Sequence, residues 1–240
     1  MIEYLKRAGE DPANQDSTRQ LAVKTAISML TDAGVHDPVS QVSRPELLSI
    51  SLIEAEVERQ AKRYQELGFH KRLRMSAGGF KDSVMSLVVP QPEVFKGRFD
   101  ISVVAFGQIP TKDQAKLVGI EYYLDGLKVS DWESDPQGYK TPDRTYLTWM
   151  QDGRVNLGKS VRDVRAGLAS DERGATIQDA VGLYVAHPEV LNDHHIDLPG
   201  TSVESGDAAL LGRWVGGPGL RGSHIGNPFS SWGSASSGRV

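Results

Sequence analysis

The chain contains no cysteine. That excludes disulfides, thiolate-held zinc, iron–sulfur clusters and a thiol nucleophile together. Long apolar runs are also missing. The most apolar windows, Val84–Val89 and Ile101–Phe106, fall far short of the ~20 residues that span a bilayer. Met1–Glu10 carries Glu3, Lys6, Arg7 and Glu10 with no apolar stretch of signal-peptide form, so a cytoplasmic, soluble protein is expected. There is little charge of either sign in excess. Residues 1–120 hold 16 Lys and Arg against 15 Asp and Glu, and residues 121–240 hold 11 against 16. A nucleic-acid binder ordinarily shows a basic excess or stripe, so the totals disfavour that class and leave only local patches open.

Several catalytic signatures are missing too. There is no His-Glu-x-x-His and no Gly-x-Ser-x-Gly. Gly216-Gly217-Pro218-Gly219, Gly222-Ser223 and Gly78-Gly79 all fail the phosphate-loop pattern. No metal site or cofactor is expected, and whether the protein is an enzyme stays open.

What is present is enough apolar residue in 240 positions for a core burying about 70–75% of the unfolded surface. The first third reads as helical. Ser17-Thr18-Arg19-Gln20 has capping-box form, and Val23, Ala26, Ile27, Leu30 and Ala33 follow at helical spacing up to Gly34. A second box, Ser43-Arg44-Pro45-Glu46, opens the clearest element. There Leu47, Ile50, Ile53, Val57, Ala61, Tyr64 and Leu67 step by threes and fours to Gly68.

Beyond residue 75 the period changes. Val84–Val89 and Ile101–Phe106 are β-branched and apolar on both parities, the mark of strands covered on both faces. Thr111 opens a short helix, and residues 129–143 read as a polar loop. Thr145–Met150 and Val155–Leu157 flank Asp152-Gly153 as a hairpin. Further helices start at Ser160 and Thr176, the second stopping at His187 before Pro188. From Asp197 the composition turns to Gly and Ser but keeps Leu210, Leu211, Trp214, Leu220, Ile225, Phe229 and Trp232, which predicts turned strands rather than a linker. The expectation is an α+β fold: an N-terminal helical section (1–75) packed on a mixed β-sheet domain (76–233) with a Gly-rich C-terminal strand and loop segment, then a short tail (234–240).

Histidine clustering is the best chemical lead. His187, His194, His195 and His224 fall within 38 residues, beside Asp193 and Asp197. Imidazole titrates near neutrality, so His194, His195 and Asp197 are the candidate catalytic groups. Ordinary loop and cap histidines are the plainer alternative. Arg173, His187, His224, Trp214 and Trp232 are candidate ligand contacts, although Arg173 in Asp171-Glu172-Arg173-Gly174 also suits a plain helix entry. Arg59, Lys62, Arg63, Lys71, Arg72 and Arg74 form the one basic stretch, a candidate nucleic-acid surface or a solvated helix end.

Asp179-Ala180-Val181-Gly182-Leu183-Tyr184, His187-Pro188-Glu189-Val190-Leu191 and Leu198-Pro199-Gly200-Thr201-Ser202 form a pattern that continues in Gly226-Asn227-Pro228 and Gly233-Ser234-Ala235-Ser236. It resembles an uncharacterised, mainly actinobacterial family of domains of unknown function. The likeness is strongest over residues 176–236, extends to Glu56-Val57-Glu58-Arg59-Gln60 and Leu67-Gly68-Phe69, and departs at Arg213–Gly222. It implies a bacterial cytosolic origin and a Gly-rich ending that belongs to the fold, and it implies no activity. The resulting expectation is a binding or accessory protein acting on another protein through loops at Asp193–Ser205 and Gly216–Trp232. A hydrolase or transferase using His194 or His195 with Asp197 is the first alternative, and a nucleic-acid accessory the second.

Overall fold

The structure, a computed structural model, describes residues 49–239. The box at Ser17, its helix to Gly34 and the box at Ser43 lie outside the described residues. In chain order the main elements are α1 (Ile50–Glu66), α2 (Phe69–Arg72), α3 (Ala77–Met85), β1 (Ile101–Phe106), α4 (Thr111–Val118), β2 (Glu121–Tyr122) and β3 (Val129–Asp131). They continue with β4 (Thr145–Gln151), α5 (Val161–Gly167), β5 (Glu172–Gly174), α6 (Ile177–Ala186), β6 (His195–Val203), β7 (Asp207–Trp214), β8 (Gly217–Ser223), β9 (Trp232–Ser234) and β10 (Ser236–Gly238). The protein is α+β. One sheet is antiparallel in the order β1-β4-β10-β5; the other is mixed in the order β2-β8-β7-β6-β3, with β9 added in parallel to β6.

Local chemistry explains the helices. The Ser49 side chain accepts from the Leu52 N–H to start α1, and Ile53, Val57, Ala61 and Tyr64 then bury one face. Gln60 shares that buried face without an unmet polar group. Its amide donates to the Ser102 carbonyl and accepts from the Val104 N–H, both at 2.8 Å, while the Tyr64 hydroxyl donates to the Val104 carbonyl at 2.7 Å. β1 is the edge strand of its sheet, so α1 satisfies an edge that would otherwise invite foreign strands. α6 begins with a capping box between Thr176 and Asp179. It is buried nearly all round because it packs on both sheets. Its approach to β1 is so close that a Cβ on Gly182 would lie 2.4 Å from Val103 Cγ1.

β1 divides the core. Val103 faces the cluster built on Met150, Val181, Leu183, Leu198, Leu211 and Leu220. Val104 and Phe106 face the other, built on α1, α3, Phe95, Phe99 and Trp149. Strand alternation thus spends both parities of the Ile101–Phe106 run on apolar partners. The described residues, 49–239, fall in one compact unit, so residue 75 lies inside a unit rather than at a division.

Three sequence expectations need correction. Val84–Val89 is not a strand. Ser76 caps α3 and Phe80 pairs with Val84 at i, i+4 to bury one helix face, so Val84 and Met85 belong to a helical period that began before the apolar window. The 145–157 hairpin does not form. Gly153 takes the positive φ of 102° that a tight turn needs, but β4 already pairs with β1 on one edge and β10 on the other, so residues 154–156 make a 3₁₀ turn. The 234–240 tail is largely strand: β10 lies between β4 and β5, with Ser236 and Ser237 fully buried.

Candidate functional site

The mixed sheet has two unlike faces. Ile196, Leu198, Ala209, Leu211 and Leu220 point into the core. The alternate residues His195, Asp197, Leu210, Gly212, Trp214, Gly219, Arg221 and Ser223 share the opposite face by register. In the parallel pair, Trp232 stands beside His195 and Ser234 beside Asp197. Residues 224–231 carry the chain from β8 past β7 to β9 on the far side of β6. They are tied to α5 by the Arg162 N–H donating to the Ile225 carbonyl at 2.9 Å.

Small residues let large rings lie on this face. A Cβ on Gly212 would sit 2.0 Å from His195 Nδ1 and 2.8 Å from Trp214, so glycine makes the seat for both rings. His195 packs against Trp214 at 5.2 Å and Trp232 at 5.6 Å between centroids, and Phe229 meets Trp232 at 4.2 Å. The Arg221 guanidinium stacks on Trp214 at 4.1 Å and on Tyr123 at 4.2 Å. No carboxylate lies within 4 Å of it among the described residues. Phe229 and Tyr123 are largely exposed, and Val215 at the β7–β8 turn is fully so.

The same face gathers polar atoms that have no partner. His195 Nδ1, Asp197 Oδ1, Arg221 Nε and Ser234 Oγ are all buried without a hydrogen bond among the described residues. Native proteins leave few such atoms, and their clustering marks a place where folding is not the sole constraint. Burial pushes the Asp197 carboxyl up to about 7, opposed by a hydrogen bond from Ser223. Burial, and secondarily the neighbouring His194, lower the His195 pKa. Near neutral pH the face therefore pairs a largely neutral imidazole with a carboxyl that is half protonated.

Of the residues singled out from sequence, His195, Asp197, Trp214 and Trp232 come together here. The others do not. His194, next to His195 on an extended chain, bonds through Nε2 to the Asp152 carbonyl at 2.8 Å. His224 is exposed and accepts from the Gly226 N–H at 3.2 Å, a turn-closing role. His187 ends α6, 3.3 Å from Glu189.

Arg173 lies in the other sheet, away from this face. It is buried and gives two hydrogen bonds to Asp179, at 2.6 and 3.1 Å, and one to Thr148 at 3.1 Å. Its guanidinium covers the Tyr139 ring at 4.1 Å. Burial raises the Asp179 pKa, but the Arg173 charge and hydrogen bonds outweigh it and hold the carboxyl below its ordinary value. That ion pair lies at the entry to α6.

The basic stretch is partly neutralised. Arg59 binds Glu56 and the Ala186 carbonyl, Arg63 pairs with Glu66, and Arg72 with Asp113. Among its candidates Lys62, Lys71 and Arg74 have no ion pair among the described residues. The same residues contain no set of three His, Asp or Glu side chains placed to hold a metal, and no helix long and apolar enough to cross a membrane.

Sequence reading missed Arg221, Tyr123, Ser223 and Ser234. The signal was a period-two alternation: Ala208, Leu210, Gly212 and Trp214 on one strand, Gly217, Gly219, Arg221 and Ser223 on the next. Comparison with family models, curated proteins and solved structures finds no match for this chain.

Proposed function

We propose that this chain is a non-catalytic binding protein that holds an acidic segment of a partner protein on the ring-and-arginine face of the mixed sheet. The observation that carries this reading is Arg221. Its guanidinium stacks on both Trp214 and Tyr123 and has no carboxylate within ion-pair distance among the described residues. Arginine and aromatic side chains dominate the energetics of protein interfaces, and a stacked guanidinium keeps its in-plane N–H donors for a carboxylate. Phe229 and Val215 add exposed apolar contact beside it.

The test is binding of Asp/Glu-rich peptides, with and without aromatic residues, compared with Lys-rich ones, at physiological ionic strength. Arg221→Ala and Trp214→Ala should each weaken the acidic peptides at least about tenfold, the ~1.4 kcal/mol expected when one anchor of an interface is removed. Equal binding of acidic and basic peptides, or none at all, would overturn the reading.

One observation favours a second reading, a hydrolase or transferase. Asp197 and His195 share a face and carry pKa values displaced by burial, as acid–base groups do. That reading requires turnover of a simple ester or phosphoester, lost in both Asp197→Asn and His195→Gln. The nucleic-acid alternative is less favoured, because Arg59, Arg63 and Arg72 are engaged within the protein.

A further inference from the structure

A separate cavity of about 500 Å³ lies where β3 and β6 meet α5. That volume is in the range of small-molecule sites, ~300–1,000 Å³. Lys128, Ser130 and Trp132 alternate along β3 and its flanks, and Ser202 stands opposite Ser130 in the strand register, so these side chains share one side. Arg165 of α5 closes the wall. Its guanidinium lies over the Trp132 ring at 4.7 Å. Nε donates to the Pro199 carbonyl at 2.9 Å, and one terminal nitrogen donates to the Thr201 carbonyl at 3.0 Å.

Two neutral carbonyls orient this cation but do not neutralise it. No carboxylate lies within 4 Å of Arg165 among the described residues, and burial lowers its pKa to about 10. A guanidinium stays charged at neutral pH even so, and a partly desolvated charge without a counter-charge is costly. The lining also holds two carboxylates. Glu133 is exposed and pairs with Lys128 at 3.6 Å, and Glu204 accepts from the Lys128 backbone N–H at 3.3 Å. Arg165 is thus the lining cation with no ion pair among the described residues, and Ser130 and Ser202 line the same cavity.

We propose that this cavity is a binding site for a phosphoryl group, with Arg165 as its counter-charge and Ser130 and Ser202 as hydroxyl donors. A phosphoryl group fits better than a carboxylate because it presents three acceptor oxygens to one guanidinium and two hydroxyls. Its source is either inorganic phosphate or a small phosphomonoester. This site shares no residue with the Arg221 face, so it stands or falls independently of the peptide reading.

The test is calorimetric titration of the full chain with inorganic phosphate, with O-phosphoserine and ribose 5-phosphate, and with acetate as the carboxylate comparator. One-to-one saturation by a phosphate compound is expected, with acetate weaker by about tenfold or more. Arg165→Gln should lose at least about tenfold, the loss of a charge-assisted hydrogen bond. Ser202→Ala removes only a hydroxyl and should lose about threefold or more while the melting curve stays cooperative, which keeps the test valid if Arg165→Gln fails to fold. Tighter binding of the monoesters identifies an organic ligand, and equal binding identifies free phosphate. No saturation up to about 10 mM, acetate binding as tight as phosphate, or affinity indifferent to both substitutions would overturn the proposal.

Discussion

Replacing Asp197 by asparagine should stabilise the protein at alkaline pH and leave it nearly unchanged in acid. Asp197 is 1% exposed, one of its oxygens has no partner among the described residues, and burial raises its pKa from 3.8 to about 7. In the unfolded chain it ionises near its ordinary value, so between pH 4 and 7 the folded state binds the extra proton. Stability must then fall as pH rises through that window, at up to 1.36 kcal/mol per pH unit. Over the whole rise the loss is about 4 kcal/mol. Asparagine keeps the shape and cannot ionise, so Asp197→Asn should exceed wild type by up to about 4 kcal/mol at pH 8 and match it within about 1 kcal/mol at pH 4.

For a chain of this size that corresponds to about 10 °C in melting temperature at pH 8. His195 acts with the opposite sign. Its lowered pKa favours the neutral ring, so its contribution is present above pH 6.5 and is lost as pH falls through its folded pKa. It is common to both proteins, so the difference between their melting curves, followed by circular dichroism from pH 4 to 8, isolates Asp197. A variant no more stable than wild type at pH 8, or one with the same slope, would refute the assignment of Asp197 as a buried, uncompensated carboxyl.

Two further outcomes follow from the packing. Asp179→Asn leaves the Arg173 guanidinium buried without its counter-charge and should cost about 3–5 kcal/mol; a loss below about 1 kcal/mol by urea denaturation would show that the pair does not close the α6 entry. A chain ending at Gly233 removes β10 from between β4 and β5 and should not give a cooperative melt. Unfolding within a few degrees of wild type would contradict the central place of that strand.

Much of the fold was legible in local chemistry. The helices at Ser160 and Thr176 follow from their capping side chains, and the long helix ending near Gly68 from its apolar spacing. The strands Ile101–Phe106 and Thr145–Gln151 follow from β-branched and aromatic runs. Each of these signals acts within one or two turns of chain. Less of the site was legible. His195, Asp197, Trp214 and Trp232 were named singly, but Arg221 was invisible as a site residue, because its value depends on stacking against Trp214 of β7 and Tyr123 just beyond β2.

By itself, then, the sequence determined the α+β class, the start of α6 at Thr176, and a folded Gly-rich ending, since backbone conformation and side-chain period are short-range properties. Only the tertiary structure decided which strand sits beside which. It placed the small residues Ser236 and Ser237 in the middle of a sheet, where their size permits burial and their backbone completes the ladder. It paired Arg173 with Asp179 and, among the described residues, left Arg165 and Arg221 without carboxylates. Composition cannot separate those three arginines; the charge each meets across the fold does, because a counter-charge acts over a few ångströms of space and not along the chain.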